Sequence, residues 1–358
     1  MRRFSSAVSG VCVAALVTAQ SPALIAYYAG DGSNLDEHRI EQLTHLIWCF
    51  GHVRNDSMEI APSQEPIIER MVGFKLRNPG LKVLISLGGW GGCPTCSEVF
   101  GREEGRRKFS ASVLHLMDRL NVDGIDLDWE YPAVQGPPGH RFAPEDQRNF
   151  TLLVQELRRV LGPGREISFA VGGTDDCILK GFEWDSIMPL IDRMHIMSYD
   201  LVHGYSTRTG HHTPLYSCDH QALSADHAVR LLDSLQVPRR KVVIGAAFYA
   251  RLWKDVPAVD NGLFQPGAFS HTIPWGASDT TLTKAKGWSM FRDKEAWAAY
   301  AYNAELKQFA TFDDAASIAA KANYVRHEGL GGIMFWQLID DKARNGLLEV
   351  MYKALRAP

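Results

Sequence analysis

The chain has 358 residues, of which 46% are hydrophobic and 22% are charged. This length and balance are typical of a globular protein with one or two domains, and they exclude a disordered chain. The formal net charge of −3 leaves no basic footprint, which argues against nucleic acid as a partner.

The N-terminal residues have the pattern of an export signal. Arg2 and Arg3 precede an apolar stretch from Val8 to Val17, which is too short to cross a bilayer. Small residues suited to cleavage follow by position 19. The pattern predicts a signal peptide over 1–19 and a mature chain over 20–358. We therefore expect a secreted protein, extracellular or periplasmic, that does not associate with a membrane.

Eight strand-like runs follow one another along the chain, with helical segments between them. Strands that alternate with helices predict a parallel sheet, and eight such units predict a closed (β/α)8 TIM barrel, of the α/β class. The runs are Leu24–Ala29, His45–Phe50, Lys82–Leu87, Gly124–Glu130, Ile167–Val171, Met194–Asp200, Val242–Phe248 and Gly331–Leu338.

Four of the cysteines outside the signal lie in predicted loops. Cys93 and Cys96 form a lone C-x-x-C, which favours a local disulfide, because a zinc site would need two further ligands. Cys177 and Cys218 follow neighbouring predicted strands and are candidates for a second disulfide. Cys49 lies inside an apolar strand, where a small buried core residue is the simplest interpretation.

The fourth run carries acids at every second position. Because side chains alternate across a strand, these acids share one face and the apolar residues between them share the other. Like charges this close raise the pKa of at least one carboxyl, as acid catalysis of glycoside cleavage requires. An exposed edge strand would not bury the apolar face, and a calcium loop would need a turn glycine. The acids are Asp126, Asp128 and Glu130, and the apolar residues are Ile125, Leu127 and Trp129.

The regular alternation of strands and helices is interrupted once, after the seventh run. Residues 252–303 mix turn residues with aromatics, where a barrel helix should follow promptly. Their aromatic content argues against a disordered loop and predicts a compact insertion. It would leave from the catalytic face of the barrel and form one wall of the cleft. The aromatics are Phe264, Trp275, Trp288, Phe291, Trp297, Tyr300 and Tyr302.

The spacing Asp123-x-x-Asp126-x-Asp128-x-Glu130 resembles the signature of the family 18 glycoside hydrolases, the chitinases and their relatives. Segments 86–90, 197–200 and 332–336 resemble that family's third-, sixth- and eighth-strand motifs, in the same order. The resemblance runs from about residue 24 to 340 and implies a small α+β insertion domain over 252–303. It also implies a secreted chitinase that cleaves β-1,4 links between N-acetylglucosamine units.

For the chemistry, the resemblance implies substrate-assisted catalysis, in which the substrate's 2-acetamido oxygen attacks the anomeric carbon with retention. Glu130 would be the general acid and then the base. Asp128 would hold the acetamido N–H, and Asp126 would share a proton with it. Tyr199 would align the acetamido carbonyl. Asp123 is out of phase with the other acids, and we interpret it as structural.

Seven further residues are expected to contact the sugar, because they match family positions or lie at strand ends around the barrel mouth. Adjacent histidines at 211–212 would point in opposite directions in an extended chain, so we reject a metal site there. We expect no metal, no cofactor and a monomer that binds chitin and chito-oligosaccharides. The seven residues are Tyr28, Phe50, Trp90, Met197, Asp200, Arg251 and Trp336.

Two alternatives stay open from the sequence. One is an endo-β-N-acetylglucosaminidase that cuts the chitobiose core of N-glycans. The other is a sugar-binding lectin on an inactive or weakly active barrel. The Trp-Glu-Tyr-Pro context at 129–132 and the insertion favour a chitinase, and the presence of Glu130 with both aspartates argues against a lectin.

Overall fold

The structure is a computed structural model that describes residues 21–357. The predicted signal peptide over 1–19 lies outside the described residues. Across the described range, no helix combines the length and the apolar character that a bilayer span requires. The fold consists of a closed parallel barrel and a smaller antiparallel sheet.

Fourteen strands and ten α-helices are present in residues 21–357. The strands are β1 (Ala23–Tyr28), β2 (His45–Arg54), β3 (Ser57–Glu59), β4 (Lys82–Gly88), β5 (Gly124–Asp128), β6 (Glu166–Gly172), β7 (Arg193–Met197), β8 (Val242–Ala247), β9 (Tyr249–Lys254), β10 (Ala268–Pro274), β11 (Trp288–Asp293), β12 (Ala298–Asn303), β13 (Gln308–Phe312) and β14 (Gly332–Trp336). The helices are α1 (Glu65–Gly73), α2 (Cys96–Phe100), α3 (Glu103–Leu120), α4 (Asp146–Leu161), α5 (Asp175–Lys180), α6 (Trp184–Ile187), α7 (Ala225–Ser234), α8 (Ser278–Thr281), α9 (Ala315–His327) and α10 (Leu347–Arg356).

Eight parallel strands form the barrel in the order β1-β14-β8-β7-β6-β5-β4-β2, and pairing of β1 with β2 closes it. This confirms the predicted (β/α)8 TIM barrel. Alternate side chains divide between two apolar layers, as the period of a strand requires. Leu24, Ile125 and Leu127 pack outward among the helices, while Ile25 and Met334 fill the barrel interior.

The small sheet has the antiparallel order β10-β9-β13-β12-β11. It extends from Tyr249 to Phe312, beyond both ends of the predicted range 252–303. The reason is that β9 begins two residues after β8 ends, and β13 pairs with β9 before the chain returns to the barrel. We call residues 249–312 the lobe. Its helical content is limited to α8 and short 3-10 turns.

Most of the lobe's predicted aromatics pack within the lobe itself. Trp288, Tyr300 and Tyr302 are buried in its two apolar clusters, and Phe264 and Phe291 pack against one of them. These side chains stabilise the lobe and do not reach the barrel mouth.

The cysteines differ in part from the prediction. Cys93 and Cys96 form the expected disulfide. Cys177 and Cys218 do not pair with each other and are free thiols. Cys177 is buried in α5, whereas Cys218 forms a short turn with Gln221, so local structure fixes each one separately.

Candidate active site

A cavity of about 1330 Å³ opens at the C-terminal ends of the barrel strands. In this fold, that end carries the catalytic residues. Most of its lining residues lie at barrel strand ends and in the loops that follow them, and the lobe supplies the others. The cavity is lined by nine of the eleven residues that the sequence singles out: Phe50, Trp90, Asp128, Glu130, Met197, Tyr199, Asp200, Arg251 and Trp336.

Strand β5 delivers the acids to this cavity. Ile125, Leu127 and Trp129 are buried on the outer, apolar side. The opposite parity turns Asp126 and Asp128 toward the barrel axis. Gly88 of β4 is needed for this approach, because a Cβ at that position would lie 2.2 Å from the Asp128 carbonyl oxygen, and its φ of +104 disfavours other residues.

Asp126 lies at the bottom of the acid row, fully buried and held by hydroxyl groups. Strand register places Ser86 and Ser168 on either side of it. Their hydroxyls donate to its two oxygens at 2.7 and 2.6 Å, and the Tyr27 hydroxyl donates at 3.1 Å. Burial raises the pKa of Asp126, and these three hydrogen bonds oppose the rise.

Asp128 has a different environment from its neighbour. It is 5% exposed, and its Oδ1 atom has no hydrogen-bond partner among residues 21–357. Burial raises its pKa well above the ordinary value, and the charges of Glu130 and Asp126 add to the effect. No hydrogen bond joins the Asp126 and Asp128 carboxyls among the described contacts, so the predicted shared proton remains a prediction. Asp128 therefore brings to the lining of the cavity an oxygen that has no hydrogen-bond partner among the described residues.

Glu130 follows the end of β5 and lines the cavity. Burial raises the pKa of its carboxyl to about 7, the Tyr131 hydroxyl opposes this, and the charge of Asp200 adds to it. A carboxyl with this pKa is protonated over part of the neutral range. It can therefore donate a proton to a leaving group and take one from water afterwards.

Asp200 and Arg251 form an ion pair in the lining of the cavity. The Arg251 guanidinium contacts both Asp200 oxygens, and the Tyr249 hydroxyl donates to Oδ1 at 2.6 Å. Burial opposes ionisation of Asp200, but His212 and Arg251 hold its pKa well below the ordinary value. His211 instead lies 2.9 Å from Asp293, so the adjacent histidines contact different carboxylates.

Tyr199 and the aromatic floor complete the cavity. Among residues 21–357, the Tyr199 hydroxyl donates one weak hydrogen bond, to the Met334 sulfur at 3.8 Å, which leaves it available to a ligand. Trp336 stacks on Phe50 with ring centroids 5.6 Å apart and planes inclined by 14°. At the rim, Trp90 is 53% exposed and presents an open aromatic face.

The structure places Tyr28 outside the cavity, contrary to the prediction. Tyr28 is fully buried among the outer apolar side chains, and its hydroxyl accepts from Gly32 N at 2.8 Å. Its neighbour Tyr27 points inward and contacts Asp126 instead. The reason is strand parity, since β1 turns Ala23, Ile25 and Tyr27 toward the barrel axis. Applying the alternation used for β5 to β1 would have found Tyr27.

Sequence reasoning also missed several residues at or near the cavity, including one, Tyr131, that lies within the Trp-Glu-Tyr-Pro segment. Tyr131 and Tyr205 line the cavity beside Trp90, with ring centroids 6.4 and 6.5 Å from it. His195 lies below the aspartates, in contact with Tyr27. Gln337 fixes the strand-end loop by accepting from Ala29 N at 3.0 Å. Asp123, as expected, lies away from the cavity, where it accepts from Val83 N at 2.7 Å.

Comparison with known proteins relates this chain to one enzyme family. The family model of the glycosyl hydrolases family 18 matches residues 23–341. Chitinase A1 of Niallia circulans is 30% identical over 311 residues, covering 80% of this chain and 44% of that protein. Chitotriosidase-1 of Mus musculus is 29% identical over 324 residues, covering 83% and 67%. Oviduct-specific glycoprotein of Papio anubis is 30% identical over 323 residues, covering 84% and 50%.

A solved structure resembles this chain over most of its length. The family 18 N-acetylglucosaminidase from Paenibacillus barengoltzii is 33% identical, with a TM-score of 0.85, and the match covers 93% of this chain and 99% of that one. The chain spans about half the length of several sequence relatives, and the remaining parts of those relatives lie outside the match. The family model covers nearly the whole described chain, and the protein therefore belongs to glycoside hydrolase family 18.

Proposed function

We propose that this protein is a chitinase that hydrolyses β-1,4 links between N-acetylglucosamine units with retention. The observation that carries the proposal is the Glu130 carboxyl on the cavity wall, whose pKa is raised to about 7. Beneath it, the stacked rings of Trp336 and Phe50 offer a flat apolar support for a sugar ring.

The acetamido group of the substrate would supply the nucleophile, as is described for this family. Asp128 supports this step, because its Oδ1 lacks a hydrogen bond that a substrate amide N–H would provide. The Tyr199 hydroxyl, whose hydrogen bond within the described part of the chain goes to the Met334 sulfur, would donate to the acetamido carbonyl and aim its oxygen at the anomeric carbon. Glu130 would protonate the leaving oxygen and then deprotonate the incoming water.

Product analysis on three substrates tests the proposal. We expect soluble oligosaccharides from insoluble chitin, shorter products from chito-oligosaccharides, and no glycan release from an N-glycosylated protein. Glycan release without action on chitin would replace the chitinase by an endo-β-N-acetylglucosaminidase. Binding to chitin without any product would make the protein a lectin. This outcome is included because the name of one relative, the oviduct-specific glycoprotein, does not refer to an enzyme activity.

A second activity has its own support, because the full-length structural relative is named an N-acetylglucosaminidase. The second candidate function of the same site is therefore the release of single N-acetylglucosamine units from chain ends. The time course on a chito-hexaose separates the two. A monosaccharide as the first product would favour the terminal activity, whereas oligosaccharides as first products would favour the chitinase.

The lobe wall is expected to contribute to binding through Phe269. This ring lines the cavity and packs under the Arg251 guanidinium at 5.5 Å. Phe269→Ala should raise KM for chito-hexaose about two- to tenfold and change KM for the shortest chromogenic substrate less, since one stacking contact contributes about 0.5–1.5 kcal/mol. Trp297→Ala is the matched control, because Trp297 is 37% exposed on the lobe and does not line the cavity. Equal losses on long and short substrates would show that the wall binds no extended chain.

We further propose that the protein is exported as a monomer after cleavage of residues 1–19. The basic and apolar pattern of that segment and the Cys93–Cys96 disulfide support export to an oxidising compartment. N-terminal sequencing of the mature protein, with its mass in solution, tests both statements. An intact Met1 on an intracellular protein would contradict export.

A further inference from the structure

His195 of β7 lies in the barrel interior below the acid row, and no step proposed above uses it. Its ring is 1% exposed. Its Nδ1 atom lies 2.7 Å from the Tyr27 hydroxyl oxygen, which in turn lies 3.1 Å from Asp126 Oδ2. The direct separation of Nδ1 from Asp126 Oδ1 is 3.5 Å, longer than a good hydrogen bond. The contacts therefore run in series, from imidazole to phenol to carboxyl.

The number of hydrogens on the Tyr27 hydroxyl decides which group donates and which accepts in each of these two contacts. A tyrosine hydroxyl has one hydrogen to donate. When Asp126 is ionised, that hydrogen must point at its oxygen, because two bare oxygens 3.1 Å apart would repel. The short contact between Tyr27 and His195 then needs a hydrogen from the ring, so Nδ1 must carry it.

The other ring nitrogen agrees with this assignment. Nε2 is buried and has no partner among residues 21–357. A proton there would leave an N–H donor buried without an acceptor, which is the rarer and more costly state. Burial, with the charges of Arg193 and His45, lowers the pKa of His195 to about 3, although Glu166 opposes them. The ring is therefore neutral, and its single proton lies on Nδ1.

We propose that His195 is a positioning residue that acts on the acid row through Tyr27. By donating to the phenol oxygen, the ring strengthens the phenol as a donor to Asp126 and lowers the proton affinity of that carboxyl. A proton shared by the two aspartates is then held on Asp128, beside the substrate amide. The catalytic consequence of this inference rests on the proposed function, whereas the assignment of the ring proton to Nδ1 is independent of it.

Two substitutions at this position separate donation from packing. His195→Asn keeps an N–H donor near the place of Nδ1, whereas His195→Leu fills a similar volume without a donor. For His195→Leu, we expect Asp126 to become more basic and the acid limb of kcat/KM to move upward by about 0.5–1 pH unit, the effect of one neutral hydrogen bond. His195→Asn should stay within about 0.3 pH unit of wild type on the same basis.

The decisive control repeats both substitutions in a Tyr27→Phe background. If His195 acts through the phenol, His195→Leu should produce no further shift of the acid limb once the hydroxyl is absent. A full, additive shift in that background would overturn the proposal. Equal shifts for His195→Leu and His195→Asn in the wild-type background would do the same, because they would report packing alone.

A direct measurement does not depend on activity. The ¹⁵N NMR shifts of the His195 ring in the wild-type protein distinguish a protonated Nδ1 from a protonated Nε2. The proposal predicts protonation at Nδ1 at pH 5–8, and a protonated Nε2 would overturn it even if the leucine variant failed to fold. A protein that shows the Nδ1 tautomer but cleaves no chitin would contradict the proposed function and leave the tautomer assignment standing.

Discussion

Glu130→Gln is expected to lower kcat on chito-oligosaccharides by about 10²–10⁴-fold, the usual contribution of a general acid. The amide has nearly the same shape as the carboxyl but cannot give its proton to the leaving oxygen. Binding should persist, because the aromatic floor and the Asp200–Arg251 pair stay in place. Initial rates and calorimetric binding of the same oligosaccharide would measure the two effects separately.

The pH dependence of kcat/KM in the wild-type protein also tests the role of Glu130. Since the pKa of Glu130 is raised to about 7, kcat/KM should fall as the pH rises through about 7 and the acid form is lost. Glu104→Gln is a matched control, because this glutamate pairs with Lys108 on an exposed helix surface. Activity of Glu130→Gln near the wild-type level, with the control unchanged, would remove the central assignment.

Asp128→Asn should lower kcat by about 10²–10³-fold, the loss seen when one preorganised electrostatic partner of a transition state is removed. The asparagine still offers an oxygen to the substrate amide. It cannot pass a proton to Asp126, however, and so it cannot become the anion that would stabilise the positive ring formed after attack. The acid limb of the pH profile should also change shape, because Asp126 would then titrate without its coupled partner. Steady-state kinetics between pH 4 and 9 would show both effects.

Asp123→Asn provides the contrast for this variant. Asp123 lies on the same segment but accepts from Val83 N and pairs with Lys75 at 2.7 Å, outside the cavity. Its replacement should lower thermal stability without altering the shape of the pH profile. An unchanged profile for Asp128→Asn would show that Asp128 is a bystander.

The period of two in the acid segment predicted which of its side chains pack outward and which point to the barrel interior. Strand β5 determines the parity of Asp126 and Asp128, and Glu130 keeps to the cavity side just beyond the end of the strand, so their common face is a local property of the sequence. The same rule applied to β1 gives Tyr27 rather than Tyr28 as the inward residue. Such positions are predictable whenever the strand and its direction of burial are known.

Contacts between distant segments were not predictable in this way. The hydrogen bonds of Asp126 come from three other strands, and the His195 contact spans 168 residues of sequence. The lobe's aromatics show the same limit, because composition cannot tell a ring that packs inside the lobe from one that faces the cleft. In the lobe, the aromatic side chains that line the cavity are Tyr249 and Phe269, and neither was among the aromatics that the sequence singled out.

The anomeric form of the first product tests the substrate-assisted mechanism most directly. Time-resolved ¹H NMR of a chito-oligosaccharide digest should show the β anomer before mutarotation. The same oligosaccharide without the acetyl group on the reacting sugar should not be cleaved, because the attacking oxygen would be missing. The α anomer as first product, or rapid cleavage of a fully deacetylated substrate, would contradict the account.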